Sequence, residues 1–413
     1  MDINKERLWN NMMELSKIGR NEDGGITRLS FTPEEKKAKE FVSSLMTEAG
    51  LNVYEDEIGN LIGRKDGKNP SEAAIIVGSH IDSVLSGGFF DGPAGVLTAI
   101  EALHTMKDRE IETDSPIEVI AFTDEEGARF SSGMLGSQAI AGQLSQQELH
   151  RLKDNDGISV ADAMKKMGYH PELVEKAERN PSTVKAYLEL HIEQGKELEN
   201  ESLPAGIVTG IVGVKWLSVK LRGEAGHAGT TPMNLRKDPL AAAAKIISYA
   251  EEIAAAEEGT VATVGRIHAS PGGVNIIPGE VEFSLDVRDL SEDNLNKIIG
   301  MIKDYTHETS LQRNIDYQIE ELHTLKPAKS SPILMDAVKE SVEELGIRPY
   351  MLASGAGHDA MVMASIAEMC MIFIRSKDGI SHNPKEWSDK EDVAVGADIL
   401  FRTLLKVDKK RII

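Results

Sequence analysis

Histidines and acidic residues follow apolar stretches of the chain at spacings that suit metal binding. His80 and Asp82 are two residues apart after an apolar run, so in an extended segment they share one face. Asp91 lies in Phe90-Asp-Gly-Pro-Ala-Gly, just before a predicted helix. A carboxylate beside an imidazole can fix the tautomer that binds a metal. Taken alone, the first motif could be a capped turn, and Asp91 could be only a helix cap.

Three acidic residues close another apolar run, namely Asp124, Glu125 and Glu126. Crowded carboxylates repel one another unless a cation lies among them. Of two adjacent glutamates, one can bind a metal, while the other takes a proton from the water molecule that the metal activates. A solvated acidic loop is the alternative interpretation of this stretch.

Two further histidines lie far along the chain. His191 begins His-Ile-Glu-Gln-Gly at the end of an apolar run, and His382 lies in Ser381-His-Asn-Pro. A single histidine is more often structural than a ligand. Three histidines and three acidic residues that all follow apolar runs, in a chain with 11 histidines, indicate one shared site. Imidazole and carboxylate ligands without thiolates suit zinc, manganese or cobalt, and two such ions bridged by a carboxylate can activate water.

These side chains need a framework that brings the ends of strands together. Apolar runs at 73–78, 117–123 and 184–190 predict buried strands, and residues 93–106 have the spacing of a helix. A similar apolar run returns at 369–374. This alternation predicts an α/β fold with a mostly parallel sheet flanked by helices. In such open sheets, ligands bind beyond the carboxyl ends of the strands.

The pattern changes in the middle of the chain. Residues 218–222 and 281–288 alternate between apolar and polar, which is typical of antiparallel strands that are solvated on one face. Helical spacing at 239–252 and 292–306 completes a small α+β domain on an antiparallel sheet. We therefore expect a catalytic domain formed by residues 1–210 and 327–413, and an inserted domain at 211–326.

Composition excludes several classes of protein. The formal net charge of −21 argues against nucleic-acid binding, because phosphate contacts require a basic patch. No apolar run reaches the ~20 residues of a membrane span. Residues 1–20 lack the apolar stretch of a secretory signal. The single cysteine, Cys370, cannot form an intrachain disulfide, and a reducing, cytoplasmic location is expected.

Together, these motifs resemble those of the peptidase M20 superfamily of dinuclear metal hydrolases, and more narrowly its amidase, hydantoinase and carbamoylase branch. The resemblance covers essentially the whole chain and implies a zinc-exopeptidase-like catalytic fold. It implies one metal ion bound by His80, Asp91 and His191, a second bound by Asp91, Glu126 and His382, Glu125 as the general base, and Asp82 orienting His80. It also implies a cis peptide bond between Asp91 and Gly92. Two divalent ions per subunit are expected, either Zn²⁺ or one of Mn²⁺, Co²⁺ and Ni²⁺.

The same resemblance indicates the bond that is cleaved. Peptidase members of the superfamily usually have an acidic residue where His191 stands, so the histidine favours a ureido C–N bond over a peptide bond. The implied substrate is an N-carbamoyl-L-amino acid, giving the amino acid, carbon dioxide and ammonia. Allantoate is the closest alternative, because the two kinds of enzyme share the ligand motifs. The sequences that begin at Thr123 and Gly379 slightly favour the carbamoylase. An aminopeptidase or dipeptidase is more remote, because His191 and the residues of the inserted domain argue against it. A non-catalytic scaffold is disfavoured because all five ligands and Glu125 are present.

The inserted domain would be the lid and the dimerisation surface of a homodimer. The substrate contacts that the resemblance implies are Gln194, His227, Asn275, Arg288, Gly357 and His358. Arg288 and Asn275 would grip the substrate carboxylate, for which an arginine fork is geometrically apt. His227, from its own subunit or the neighbouring one, would stabilise the developing oxyanion. Gln194 would assist at the ureido or carboxylate end, and Gly357 and His358 would line the pocket.

Overall fold

A computed structural model of the chain describes residues 2–410 and 412. The chain divides into two units, with boundaries at Gly210/Ile211 and at Ala328/Lys329. The first unit contains the segments on both sides of the second, which is inserted between them. Within the described residues, no helix combines the length and the apolar character that crossing a bilayer requires.

The first unit is built on a nine-stranded sheet. Numbered along the whole chain, its strands are β1 (Asn52–Glu55), β2 (Leu61–Lys65), β3 (Ala74–His80), β4 (Ile117–Phe122), β5 (Val184–Ile192), β6 (Ala205–Ile211), β14 (Ala328–Lys329), β15 (Met351–Ser354) and β16 (Met369–Ile374). The order is β1-β2-β4-β3-β5-β16-β6-β14, and β15 pairs with β6. The central strands β4, β3, β5 and β16 are parallel, whereas β1, β2 and β6 pair antiparallel. The predicted α/β fold with a largely parallel central sheet is therefore confirmed.

Helices cover this sheet, so its central strands are buried on both faces and read as continuous apolar runs. The helices are α1 (Lys5–Leu15), α2 (Pro33–Glu48), α3 (Pro93–Asp108), α4 (Leu135–Ile140), α5 (Gln146–Arg151), α6 (Val160–Met167), α7 (Glu197–Asn200), α10 (Pro332–Glu344), α11 (Asp359–Met363) and α12 (Lys390–Lys409). Every residue of β3, β4 and β16 is buried. Helices α3 and α12 pack against each other and supply apolar side chains such as Leu103 and Leu404 to the core.

The second unit is an α+β domain on a five-stranded antiparallel sheet. Its elements are β7 (Gly213–Arg222), β8 (Gly226–His227), α8 (Pro239–Ala255), β9 (Val261–Thr263), β10 (Ile267–Ser270), β11 (Ile276–Ile277), β12 (Glu280–Asp289), α9 (Glu292–Arg313) and β13 (Asp316–Leu325). The main sheet has the order β10-β12-β7-β13, with β9 also on β12, and β8 pairs with β11 in a separate ribbon. Alternate residues of β12 are buried against α8 and α9, as the sequence pattern predicted.

Four adjacent parallel strands carry the candidate ligands to one edge of the first sheet. Because β4, β3, β5 and β16 point the same way, the segments that follow them leave from the same edge. His80 is the last residue of β3, and His191 is the next-to-last residue of β5. The acidic stretch follows β4, and the loop with His382 follows β16. Residues far apart in sequence are thereby brought within reach of one another.

Candidate active site

Two buried histidines face one oxygen of the Asp91 carboxylate. The Nε2 atom of His191 lies 3.1 Å from Asp91 Oδ1, and the Nε2 atom of His80 lies 3.6 Å from the same oxygen. Both imidazoles and the carboxylate are almost fully shielded from solvent. His80, Asp91 and His191 therefore form one compact group of candidate ligands.

The other oxygen of Asp91 faces a second group. Asp91 Oδ2 lies 3.3 Å from His382 Nε2, and that nitrogen lies 3.3 Å from Glu126 Oε2. His382 has a left-handed backbone and a half-exposed side chain, so this group is open on one side. Asp91 belongs to both groups, with one carboxylate oxygen directed to each.

The histidines of the first group fit a divalent cation. Their Nδ1 atoms lie 3.2 Å from the Asp82 carbonyl oxygen and 2.9 Å from the Ile192 carbonyl oxygen, for His80 and His191 respectively. A ring that donates from Nδ1 has its lone pair on Nε2. Both Nε2 atoms are buried, and the described part of the protein gives neither a hydrogen-bond partner. Ligand atoms of one tetrahedral zinc ion lie ~3.3 Å apart, close to the spacing found here.

Asp82 holds the acidic turn that follows β4. Its two carboxylate oxygens accept the backbone N–H groups of Glu125 and Glu126, each at 3.2 Å. The Glu125 carboxylate in turn lies 3.6 Å from His80 Nε2. The Asp82 carboxylate is also 3.6 Å from His80 Nδ1, whereas the Asp82 backbone carbonyl is closer. The ring of His80 is thus oriented mainly by the backbone of Asp82, and the carboxylate mainly shapes the turn.

Asp124, the third acidic residue of the turn, faces elsewhere. Its backbone is left-handed, and its carboxylate accepts the Ser30 hydroxyl at 2.5 Å. Burial raises the pKa of Asp124 well above its ordinary value, and the nearby Asp82 adds to the effect. Asp124 therefore contributes to the buried support of the site, while the two glutamates that follow it face the candidate ligands.

The carboxylates and imidazoles strongly perturb one another. Burial raises the pKa of Glu126 to about 7, with a further contribution from Asp91, and burial also raises the pKa of Glu125 well above its usual range. Burial alone would raise the pKa of Asp91, but contact with His191, His382 and His80 lowers it well below the ordinary value. The hydrogen bond to Asp91 raises the pKa of His382 to about 9. A cation among these groups would favour their deprotonated forms.

A third cluster consists of Glu189, His191 and His358. The Glu189 carboxylate accepts hydrogen bonds from Ser79, Tyr187 and the Ala360 backbone, at 2.7, 3.0 and 3.0 Å. His358 Nε2 lies 2.8 Å from the Ser354 hydroxyl, and the rings of His358 and His191 are 4.4 Å apart. The Glu189 carboxylate and His358 Nε2 therefore already have protein partners, and the two residues support His191. The adjacent Gly357 is half-buried.

Gln194 contacts the shared carboxylate directly. Its side-chain amide donates to Asp91 Oδ2 at 2.7 Å, and its backbone is left-handed. The side-chain carbonyl oxygen is buried and has no hydrogen-bond partner among residues 2–410 and 412. The structure therefore brings Gln194 to the candidate ligands, with a buried acceptor still available.

Two residues at Asp91 were missed by reasoning from sequence. The Ser381 hydroxyl lies 2.7 Å from Asp91 Oδ2, and the Glu386 carboxylate accepts the backbone N–H groups of Phe90 and Asp91. Burial and the nearby Asp91 raise the pKa of Glu386 to about 7. The one available signal was their closeness to His382 in the chain, because a loop has no periodicity that marks inward-facing residues.

The candidate substrate residues of the second unit lie in two places, the β8–β11 ribbon and strand β12. His227 on β8 pairs with β11, and the Ala228 N–H donates to the Asn275 carbonyl at 3.0 Å, so His227 and Asn275 are neighbours. Arg288 lies on the polar face of β12 and forms a two-pronged hydrogen bond with Asp286, at 3.0 and 2.9 Å. The structure thus brings His227 and Asn275 together and places Arg288 on the main sheet of the unit.

The peptide bond between Asp91 and Gly92 differs from the expectation. The cis bond found in the described chain is Ser270–Pro271, so the expected cis bond after Asp91 is wrong for this structure. Gly92 has a φ of +80°, which turns the backbone at this point without a cis bond. A Cβ atom on Gly92 would lie 2.5 Å from the His80 ring, so only glycine fits here.

Comparison with known proteins identifies relatives of the whole chain. Residues 76–406 match the model of peptidase family M20/M25/M40. The N-carbamoyl-L-amino acid amidohydrolase of Geobacillus stearothermophilus is 51% identical, over 97% of this chain and 98% of that protein. The allantoate amidohydrolase of Bacillus subtilis (strain 168) is 36% identical over 95% of each chain. A crystal structure of an amidase of the hydantoinase/carbamoylase family from Burkholderia multivorans superposes with a TM-score of 0.92 at 34% identity, over 99% of both chains. The chain belongs to peptidase family M20/M25/M40.

Proposed function

We propose that this protein hydrolyses the ureido C–N bond of N-carbamoyl-L-amino acids, giving the L-amino acid, carbon dioxide and ammonia. The observation that carries the proposal is the Asp91 carboxylate, whose two oxygens face two separate groups of candidate ligands. One carboxylate shared by two groups is the arrangement that a pair of divalent cations requires. The substrate class is supported by the relatives that act on N-carbamoyl-L-amino acids.

Two cations per subunit would be held by residues of the first unit. His80, Asp91 and His191 would hold one, and Asp91, Glu126 and His382 the other. The donor set suits Zn²⁺, Mn²⁺, Co²⁺ or Ni²⁺. Bound there, the cations would supply Lewis-acid polarisation of the carbamoyl oxygen and a nucleophile from water at neutral pH.

Glu125 is the residue that we assign to proton transfer. It accepts a proton from the attacking water and returns it to the leaving nitrogen. Burial raises the pKa of Glu125, which favours retention of the proton between these two steps. The hydrogen bonds from the acidic turn to Asp82 fix the backbone that carries Glu125. Gln194, whose side-chain amide donates to Asp91, would assist at the ureido or carboxylate end of the substrate.

The second unit is proposed to act as the lid and as the surface of a homodimer. Arg288 and Asn275 would bind the substrate carboxylate, and a planar guanidinium matches that group with two parallel hydrogen bonds. His227, from the same or the neighbouring subunit, would stabilise negative charge on the carbamoyl oxygen. Gly357 and His358 would line the pocket from the first unit.

Allantoate is the competing substrate. It also carries a ureido group next to a carboxylate, so the same ligands and the same base would serve its hydrolysis. The relative that acts on allantoate, although less similar than the carbamoylase, keeps this alternative open to experiment. We place it second because the more similar relative acts on N-carbamoyl-L-amino acids.

The proposal is tested by parallel assays on protein reloaded with zinc, manganese or cobalt. Ammonia release is measured from N-carbamoyl-L-methionine, its D-enantiomer and allantoate, and amine release from a dipeptide. We expect the fastest turnover with the L-enantiomer and none with an Asp91→Asn variant. Turnover of allantoate alone would make the alternative correct. Turnover of the dipeptide alone, or inactivity with every metal, would refute both.

A further inference from the structure

Glu386 joins the loop that carries His382 to the segment that carries Asp91. This loop, residues 375–389, connects β16 to α12 and is called the His382 loop below. The Glu386 side chain is only 1% exposed, and its Oε1 atom accepts the backbone N–H groups of Phe90 and Asp91, at 3.0 and 3.1 Å. The buried Glu386 carboxylate, which belongs to the loop of His382, therefore fixes the backbone of Asp91.

The second oxygen of Glu386 reaches the Asp91 side chain through a hydroxyl group. Glu386 Oε2 lies 2.9 Å from Ser381 Oγ, and the same hydroxyl lies 2.7 Å from Asp91 Oδ2. A serine hydroxyl has one proton, so it donates to one of these two carboxylate oxygens at a time while its oxygen stays within hydrogen-bond distance of both. Glu386 is thus connected to both the backbone and the carboxylate of Asp91.

Aromatic packing follows the same path. Trp387, the residue after Glu386, packs against Phe90, the residue before Asp91, with ring centroids 5.5 Å apart. Trp387 also contacts Phe89 and Trp9, at 5.9 and 5.7 Å. Glu386 and Trp387 of the His382 loop therefore contact Phe90 and Asp91. Together these contacts fix the position and the orientation of the His382 loop against the Asp91 segment.

The approach of Glu386 depends on a glycine. A Cβ atom on Gly88 would lie 2.0 Å from the Glu386 carboxylate, so any other residue would displace it. Glycine at a position of close approach permits contacts that a side chain would block. Gly88 thus leaves the space that the Glu386 carboxylate occupies.

We infer that Glu386 is a positioning residue that sets the distance between Asp91 and His382, and so the affinity for the cation of the Asp91, Glu126 and His382 group. The inference rests on the proposed function, because it takes these three residues as ligands. Glu386 acts through Asp91 and Ser381, since its own oxygens are engaged by their N–H and O–H groups. Groups that orient metal ligands in this way typically change metal affinity by about 10–100-fold when removed.

The effect is expected to be larger for one of the two cations, although Asp91 belongs to both groups. His80 on β3 is paired with Phe122 of β4, and His191 on β5 is paired with Phe373 of β16. Their positions are fixed by backbone pairing and do not depend on Glu386. His382 lies in a loop with a left-handed backbone, and its position depends on the contacts of that loop. Loss of Glu386 therefore weakens the second group more than the first.

The test compares metal binding by Glu386→Ala, Glu386→Gln and Ser381→Ala variants with that of the wild type. Binding is measured by equilibrium dialysis with elemental analysis, and by the absorption spectrum during titration with Co²⁺. In Glu386→Ala we expect one cation to remain tightly bound and the other to bind about 10–100-fold more weakly. Glu386→Gln is expected to stay within a few-fold of the wild type, because the amide oxygen can still accept the two N–H groups. Ser381→Ala is expected to fall between them.

Glu118→Ala is the matched control. Glu118 is also a buried carboxylate, but it lies on β4 and pairs with Arg64 and Arg179. We expect it to lower the melting temperature and to leave binding of both cations unchanged. Two tightly bound cations in Glu386→Ala would overturn the inference, as would equal weakening of both cations or a Gln variant as weak as the Ala variant. A wild-type protein that binds fewer than two cations would overturn the proposed function instead.

Discussion

One carboxylate oxygen of Asp82 accepts the backbone N–H of Glu125 at 3.2 Å. The other accepts the N–H of the next residue, Glu126, at the same distance. The acidic turn after β4 is therefore shaped by a side chain that follows β3, the neighbouring strand. Because Asp82 is buried, neither hydrogen bond is readily replaced by water. The proposed base and a proposed ligand thus depend on one carboxylate.

Replacing Asp82 by Asn tests this dependence. An amide has one acceptor oxygen, so one of the two N–H groups loses its partner, at a cost of about 1–3 kcal/mol. If that cost falls on the position of Glu125, kcat decreases by roughly 5–150-fold, with little change in KM. Steady-state kinetics would measure both constants. Asp154→Asn is the control, since Asp154 accepts two N–H groups of a turn on its Oδ1 atom alone, and the amide oxygen of Asn can still accept both. An unchanged kcat in Asp82→Asn would contradict the assigned role.

Adjacent glutamates are expected to respond differently to the same change. Glu125→Gln should retain both metal ions but lose about 10²–10⁴-fold in kcat, because an amide cannot accept the proton of the attacking water. Glu126→Gln should lose one metal ion, because it removes the carboxylate that lies 3.3 Å from His382. Metal content and kcat are measured on the same preparations. If Glu125→Gln keeps its turnover, another group acts as the base.

Metal binding is expected to strengthen as the pH rises. The hydrogen bond to Asp91 raises the pKa of His382 to about 9, and burial raises that of Glu126 to about 7. Both groups must be deprotonated to coordinate a cation, so binding near neutral pH releases protons. The apparent affinity therefore increases with pH and levels off above about 9. Calorimetric titrations in two buffers with different ionisation enthalpies would count the protons. A His382→Asn variant should release fewer, and equal release would contradict this assignment.

The proposed grip on the substrate carboxylate can be tested within the second unit. Arg288→Ala should raise KM by about 10–100-fold and change kcat little, because it removes an interaction made in the ground state as well as the transition state. Arg222→Ala is the matched control, since Arg222 is also paired with a carboxylate, that of Glu280. Arg288→Lys should restore little, because an ammonium lacks the planar fork. A KM for Arg288→Ala equal to that of the control would remove Arg288 from substrate binding.

The elements that carry the site were largely predictable, although their ends were not. The apolar run at 369–374 matches β16, and the run at 184–190 identifies β5, which continues to Ile192. His191 therefore belongs to the strand itself. The apolar run ends at residue 190, two residues before the end of β5, because a buried site accepts polar side chains such as that of His191, which an ordinary core would exclude. Helix α9 was expected to end at residue 306, but it continues to Arg313, past the buried polar residues Thr309 and Ser310.

Other features depend on contacts that sequence does not express. Ser381 and Glu386 were missed because their partners, Phe90 and Asp91, lie almost 300 residues earlier in the chain. The antiparallel edge strand β1 is short and mostly exposed, so it has no apolar pattern to indicate it. The histidines and acidic residues could be predicted because their chemistry is unusual after apolar strands. A carboxylate such as that of Glu386, which accepts backbone N–H groups and a hydroxyl, has no such mark.

Gly92 offers a last test of how closely the backbone and the candidate ligands are fitted. Its φ is +80°, and a Cβ atom would lie 2.5 Å from the His80 ring. Gly92→Ala should displace the imidazole and lower the affinity for the cation of the His80, Asp91 and His191 group. Gly157→Ala is the control, because Gly157 has a φ of +79° with nothing within 4 Å of its Cβ position. Both variants place an alanine at a positive φ, at a cost of at least ~1–2 kcal/mol. Gly92→Ala adds the close contact with the His80 ring, so thermal unfolding should shift more in Gly92→Ala than in the control. Metal content should fall only in Gly92→Ala, and equal metal content in the two variants would show that the His80 ring can move without loss of the ligand.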